Sequence, residues 1–361
     1  MRVARYYGRL DLRIEDVEEP QPGPNQVKVR VLFNGLCGTD VHEYFEGPSS
    51  TRTEPHPLTG VKNPVVLGHE FSGRVVQCGP GVTDLEGGEL VSIEPLVTCG
   101  RCPYCTTGHR NLCQTLGGHG FNTRWGGLGE FTVVERSQVH VAPDGCSPLG
   151  AALVEPLAVG YHAARLAAVE HGQVAVVHGG GPIGLSVALA LRARDVTVVV
   201  SEPSLQRRDI FTNLGFEYVI DARSEDLQDI VGTLTSGAGA EATFDAAGTP
   251  AALTAAIDTA SKRGAVVIVA KHSKPLLVAP ELLYGTERKI MGSVAYGSGD
   301  FAAVLSAVAA GSYPLEGWFS TTPFDYTIID QGFEVLRTQK AMKVLVRVNT
   351  EAPVSDASPA R

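Results

Sequence analysis

Four thiols fall within fifteen residues, spaced Cys99-x2-Cys102-x2-Cys105-x7-Cys113. A tight loop with that spacing can fold all four around one ion. Zinc imposes no geometry of its own through d-electrons, so four thiolates settle into a tetrahedron at ~2.3 Å and leave no open position. A closed site of this kind does no chemistry; it staples a loop too irregular to hold itself. A second set has a different character. Cys37-Gly38-Thr39-Asp40-Val41-His42 brings a thiol, a hydroxyl, a carboxylate and an imidazole together, and Gly68-His69-Glu70 and Glu155-Pro156 follow later. A catalytic zinc needs about three protein ligands and one open position. Cys37, His69 and one carboxylate would supply them.

A third constellation suits a phosphate ligand. Gly179-x-Gly181-x-x-Gly184 follows a short apolar run and opens a helical pattern, with Pro182 and Ile183 at the helix start. In such a motif the first glycine makes the turn, the second admits the pyrophosphate and the third lets helix and strand pack closely. A proline at the first helical position loses no hydrogen bond, and the helix N-terminus favours an anion. Glu202 stands eighteen residues beyond Gly184, where a carboxylate can accept from both ribose hydroxyls and repel a 2′-phosphate. The expected cofactor is therefore NAD, with Arg207 and Arg208 tempering the repulsion.

These residues need elements to position them. The first part of the chain reads as short β segments broken by Gly and Pro, with alternation clearest in Val27–Phe33 and after Phe71. Pro48 to Pro64 is too rich in Pro, Thr and Ser for a regular element and is expected to be a surface loop. After Glu155, strands at Val174–Val177, Val196–Val200, Tyr218–Ile220, Ala242–Asp245 and Ala265–Ala270 alternate with helices such as Ile183–Arg194 and Leu205–Leu214. That alternation predicts a parallel, doubly wound α/β sheet. From about Ser298 the pattern is helix, turn and a final strand, Met342–Val348.

At these motifs the sequence resembles the zinc-containing medium-chain alcohol and polyol dehydrogenases along nearly its whole length. The matching pieces are CGTDVH, GHEFSG, the four-cysteine lobe, LVEPLAVGYHA, GGGPIG, VSEP and GSVAYGSGDF. EYFEGPSSTRTEPHPLTG, with LVEP in place of a third cysteine ligand, points to the (R,R)-butanediol dehydrogenase branch. The resemblance implies a GroES-like β-rich catalytic domain (1–155, with the structural zinc lobe at about 95–115) and a Rossmann NAD-binding domain (156–297). A return to the catalytic domain (298–349) and a flexible tail (350–361) complete the expected layout. It also implies that Cys37, His69 and Glu155 are catalytic zinc ligands, with Glu70 able to replace water on the metal. Thr39 would accept the substrate proton, His42 would pass it to solvent through the cofactor ribose, and Asp40 would orient His69. The reaction implied is hydride transfer between NAD and a small secondary alcohol, vicinal diol or hydroxyketone. Three places depart from the family pattern: Gly88-Glu89-Leu90-Val91, His178 before the first glycine, and Ala270-Lys271-His272 at a strand end. A lysine there must reach water, a carboxylate or a ligand, because an unpaired buried charge is costly.

Bulk properties narrow the remaining classes. A chain of 361 residues exceeds one ordinary core, so two domains are expected. The net charge of −9 argues against a nucleic-acid partner, which needs a basic face. MRVARYYGRL lacks the apolar core of a signal peptide, so the expectation is a cytoplasmic protein without a membrane partner. His56, His109, His119, His140, His162 and His171 are expected at the surface or in satisfied structural positions, and Cys78 and Cys146 as small buried residues. A strand near Lys289–Ala295 is expected at an open sheet edge. Its pairing with a second copy would give a homodimer or homotetramer.

Overall fold

The computed structural model describes residues 1–272, 274–325 and 327–349. The tail expected at 350–361 lies outside them. The chain divides into two compact units. The first comprises Met1–Cys99, Gln114–Glu155 and the C-terminal part from Phe319; the second comprises Gly100–Cys113 and Pro156–Trp318.

The first unit is β-rich. Its longest strand, Gln26–Leu36, pairs antiparallel with Glu70–Cys78 on one side and with Lys343–Arg347 on the other, and Phe131–Glu135 also joins it. The burial of Val27, Val29 and Val31 on this strand follows its apolar alternation, as expected of a strand with one face on a core. Val65, Val66, Phe71, Val91 and Val134 belong to the same core. A strand not foreseen from sequence, Phe319–Pro323, runs parallel to Lys343–Arg347 at the sheet's edge. Its residues FSTTP carry little apolar alternation, so no local signal marks it.

The second unit holds a wholly parallel six-stranded sheet. In sequence order its strands are Val174–His178, Thr197–Ser201, Tyr218–Ile220, Ala240–Asp245, Ala260–Ile268 and Lys289–Gly292. They lie in the spatial order third, second, first, fourth, fifth, sixth. This is the doubly wound arrangement with a switch point outside the carboxyl end of the first strand, where ligands of such sheets bind. The strand Val174–His178 is buried throughout, as a central parallel strand must be. Lys289–Gly292 is the edge strand, at the place expected for it.

Candidate active site and metal centres

The strand Gln26–Leu36 leads directly into the helix Gly38–Glu46, and Cys37 is that helix's N-cap. Asp40, three residues on, accepts a hydrogen bond from the Cys37 backbone N–H at 2.9 Å, fixing the turn. The other Asp40 oxygen lies 3.5 Å from His69 Nδ1, and neither atom has another hydrogen-bond partner. The Asp40 carboxylate is fully buried. One acid thus holds both the thiol's backbone and the imidazole's orientation, leaving Nε2 as the ring's ligand atom.

The ligand atoms of Cys37, His69 and Glu70 lie within 4.8 Å of one another. Glu155, in the first turn of the helix Val154–Ala167, is the next acid; it falls outside that group but interacts electrostatically with His69 and Glu70. Burial pushes its carboxyl up to about 7, with His69 and Lys343 opposing and Glu70 adding to the rise. Burial alone would lower the His69 pKa, yet Asp40 and Cys37 hold it well above its usual value. A pocket in which a thiol and several carboxylates surround one imidazole favours a cation, and the soft-and-hard donor set suits zinc. The residues fit the ion that the sequence implies.

Thr39 is half-buried, with Oγ1 3.7 Å from Cys37 Sγ. His42 stands one turn along the same helix and is exposed, its Nδ1 2.9 Å from Glu46 Oε1. Two residues of this site went unnoticed in the sequence. Lys343 is buried and forms an ion pair with Glu70. Burial would lower its pKa, but Glu70 and Cys37 outweigh that and raise it. Glu43, also fully buried, ties down the loop after the helix by accepting from Ser49, Ser50 and Thr51. That loop has no regular element, as expected, yet Thr51 and His56 are buried rather than at the surface. No spacing rule links 343 to 70. For Glu43, a signal was present in the run of hydroxyl residues six to eight positions on.

The four lobe cysteines also converge, their sulfurs within 4.8 Å of one another and none in a disulfide. Four thiolates around zinc at ~2.3 Å have separations inside that limit. The loop Gly100–Cys113 is anchored in the second unit, where Asn111 Nδ2 donates to the Val294 carbonyl at 2.9 Å and Ser298 Oγ to the Gly108 carbonyl at 2.8 Å. Cys78 and Cys146 are half-buried, a correction to the expectation of burial.

In the glycine-rich turn each glycine has a separate reason. Gly179 has φ +100°, and a Cβ on it would stand 2.9 Å from Ala247. A Cβ on Gly184 would stand 1.8 Å from the Gly179 carbonyl oxygen, so helix and strand touch there. A Cβ on Gly181 would meet no side chain closer than Arg207 at 4.0 Å, which leaves that face open to a ligand. Pro182 is the first residue of the helix Pro182–Arg192, followed by Ile183. Glu202 is buried, accepting from Gly180 N at 2.6 Å and Ser204 N at 2.7 Å, with Arg207 3.7 Å away.

At the ends of the fourth and fifth parallel strands, Asp245 gathers the turns. Its carboxylate accepts from the N–H groups of Ala247 and Gly248, its carbonyl from those of Val269 and Ala270, and His272 pairs with its second oxygen. His272 thus has a carboxylate partner, whereas the Lys271 side chain is exposed to water. Burial pushes His178, beneath this cluster, down to about 4 and keeps it neutral. Of the other histidines, His119 is buried and bonded to Thr132, His140 pairs with Glu94, and His162 with Asp300.

Comparison with known proteins adds to this geometry. The family model for the alcohol dehydrogenase GroES-like domain matches residues 23–144, and that for the zinc-binding dehydrogenase matches 182–310. The chain is 34% identical to an (R,R)-butanediol dehydrogenase of Neisseria gonorrhoeae, over 97% of this chain and 100% of the relative. It is 31% identical to a sorbitol dehydrogenase of Halalkalibacterium halodurans, over 95% and 98%. Among solved structures, 2R,3R-butanediol dehydrogenase from Bacillus subtilis superposes with a TM-score of 0.89 at 35% identity, covering 96% of this chain and 99% of that one.

Proposed function

Because this chain belongs to the zinc-binding alcohol dehydrogenase family, we propose that it interconverts a small vicinal diol and its hydroxyketone, 2,3-butanediol and acetoin being the type, with zinc and NAD. The observation that carries this is the Cys37–His69–Glu70 group, oriented by Asp40 and flanked by Glu155. When bound, zinc supplies Lewis acidity to the alcohol oxygen and NAD accepts the hydride. Cys37, His69 and a carboxylate from Glu70 or Glu155 are the proposed zinc ligands. Thr39 takes the hydroxyl proton as the carbon gives up hydride, and the exposed His42 hands that proton to solvent. Asp40 keeps the imidazole of His69 turned toward the metal. In the second unit, the open face of Gly181 and the start of the Pro182 helix take the pyrophosphate, and Glu202 reads the ribose hydroxyls.

A polyol larger than butanediol is the second reading, favoured by the exposed Lys271 at the strand end, whose charge suits an oxygen-rich ligand. The test is a panel of 2,3-butanediol stereoisomers, acetoin, sorbitol and threonine with the zinc-loaded protein. NADH formation is expected to be fastest with a butanediol isomer. Turnover confined to polyols would replace the first reading with the second, and none with any alcohol would overturn both. We assign the edge strand Lys289–Gly292 to pairing with a second copy, giving a homodimer or homotetramer. Among the described residues no helix is long and apolar enough to cross a membrane, and the protein is assigned to the cytoplasm.

A further inference from the structure

Three arginines gather near the one carboxylate assigned to the cofactor ribose, and each would suit a phosphate. Arg207 and Arg208 lie on the helix Leu205–Asn213, and Arg223 follows the strand Tyr218–Ile220. A guanidinium matches phosphate with paired donors, so a free one beside Glu202 would favour the 2′-phosphate that Glu202 repels. Register places a second acid there. Ile220 pairs with Ser201 in the parallel sheet, so the next residues, Asp221 and Glu202, stand side by side at the strand ends.

Asp221 decides where the guanidinium donors go. Arg208 Nη1 lies 3.1 Å from Asp221 Oδ2 and donates to the carbonyls of Glu202 and Pro203 at 2.8 Å each. Arg223 grips Asp221 as a fork, Nε to Oδ1 at 2.9 Å and Nη2 to Oδ2 at 2.7 Å, and Nη2 also meets the Pro203 carbonyl. Hydrogen bonds from Arg223 hold the Asp221 carboxyl well below the usual carboxylate range, against the rise from burial, and the charges of Arg223 and Arg208 add to that. The two arginines differ in freedom. The Arg208 side chain is 18% exposed and wedged under the backbone, whereas that of Arg223 is 68% exposed. Arg223 is also near enough to Glu202 for the two charges to stabilise each other. We propose that Asp221 is a positioning residue for cofactor choice, which keeps the Arg223 guanidinium engaged so that its donors are not offered to a 2′-phosphate. This rests on reading the glycine turn and Glu202 as a dinucleotide site. It goes beyond that reading in giving the discrimination a second acid, because the repulsion from Glu202 is opposed by a cation at its side.

The test is calorimetric titration of the zinc-loaded protein with adenosine 2′,5′-bisphosphate and with adenosine 5′-phosphate, which needs no turnover. Salt is held at ~0.5 M, where charges not in contact are screened. Asp221→Asn keeps the shape of the side chain and removes its charge. It is expected to bind the bisphosphate about tenfold more tightly, the size of one charge-assisted contact, and to change the 5′-phosphate by less than about threefold. Asp221→Asn/Arg223→Met, with the parent's net charge and no arm, is expected to return to the parental bisphosphate affinity. Parental affinity in Asp221→Asn, or an equal gain for both nucleotides, overturns the proposal, as does a gain that survives the loss of Arg223. Should Asp221→Asn not fold, Arg223→Met decides alone. An engaged arm contributes nothing, so the bisphosphate affinity should stay within about threefold of the parent, and a larger loss means that Arg223 already reads the phosphate. A parent that binds the bisphosphate as tightly as the 5′-phosphate has the same meaning. A parent that binds neither nucleotide overturns the dinucleotide reading itself, and the proposal with it.

Discussion

At the scale of single residues, the two thiol sets have opposite jobs and their variants should separate. Cys102 is buried in a closed four-thiol group, and Cys37 is half-buried in a group with mixed donors. Cys102→Ser should destabilise the protein, because a structural zinc site contributes folding free energy outright. Cys37→Ser should abolish turnover with milder loss of stability. Elemental analysis should find two zincs in the parent and one in each variant; thermal melts and NADH formation then assign the phenotypes, and their reversal would show the sites misassigned. Glu202 gives a second prediction. Its buried carboxylate, held by Gly180 and Ser204, disfavours a 2′-phosphate. The kcat/KM ratio of NAD to NADP should exceed about tenfold, equivalent to ~1.4 kcal/mol. Glu202→Ser should narrow it, since Arg207 is then free to meet the phosphate. Equal use of both cofactors by the parent would defeat the argument.

At the scale of elements, what matters is how strand ends are tied. Asp245 ends one parallel strand and accepts from four backbone N–H groups, two through its carboxylate, while also holding His272. Asp245→Ala strands two of those donors and the imidazole, with an expected loss of about 3 kcal/mol in urea unfolding. A loss under about 0.5 kcal/mol, the size of an ordinary surface change, would mean the turns hold themselves. The helix that carries Cys37, Thr39 and His42 is fixed in the same manner. Asp40 secures its start and Glu43 its exit loop, so the reactive side chains stand on a clamped nine-residue helix.

For the whole molecule, buried histidines set the acid limit. Burial holds His119 at about 3 and His178 at about 4, against 6.5 for a free imidazole. The folded state binds fewer protons than the unfolded chain, so stability is complete above pH 6.5 and falls as pH drops toward 4. Each histidine accounts for on the order of a few kcal/mol. His119→Gln should therefore lose less stability than the parent between pH 6.5 and 4. Parallel stability–pH curves would remove His119 from the account. Assembly is the other prediction at this scale. Among the described residues no strand lies beyond the edge strand Lys289–Gly292, and Leu277, Tyr284 and Val294 expose apolar surface in its flanking segments. Light scattering should give a dimer or tetramer, and Ile290→Pro should shift it toward monomer, because proline removes a ladder donor. A parent that is monomeric at micromolar concentration excludes this assembly.

The sequence by itself determined what short spacing can encode. Four cysteines within one loop, glycines at fixed offsets, a proline at a helix start and apolar alternation are local patterns, and each dictates a local geometry. They sufficed for the parallel sheet, the thiol cluster and the pairing of Cys37 with His69 as candidate ligands. Helix ends fell within two residues of expectation, as at Pro182–Arg192 against Ile183–Arg194. What the tertiary structure decided was contact between distant segments. Lys343 meets Glu70 only because the last strand pairs with Gln26–Leu36 in one register, and a shift of a single residue would turn the ammonium to the other face. Phe319–Pro323 is a strand because it has a neighbour to bond, not because its residues prefer one. His272 found Asp245, and Lys271 found water, through the same cause: the two turns are sewn together by backbone hydrogen bonds that no pattern of side chains records. Local chemistry is written in residue type and spacing; partnership across the chain is settled by register and burial.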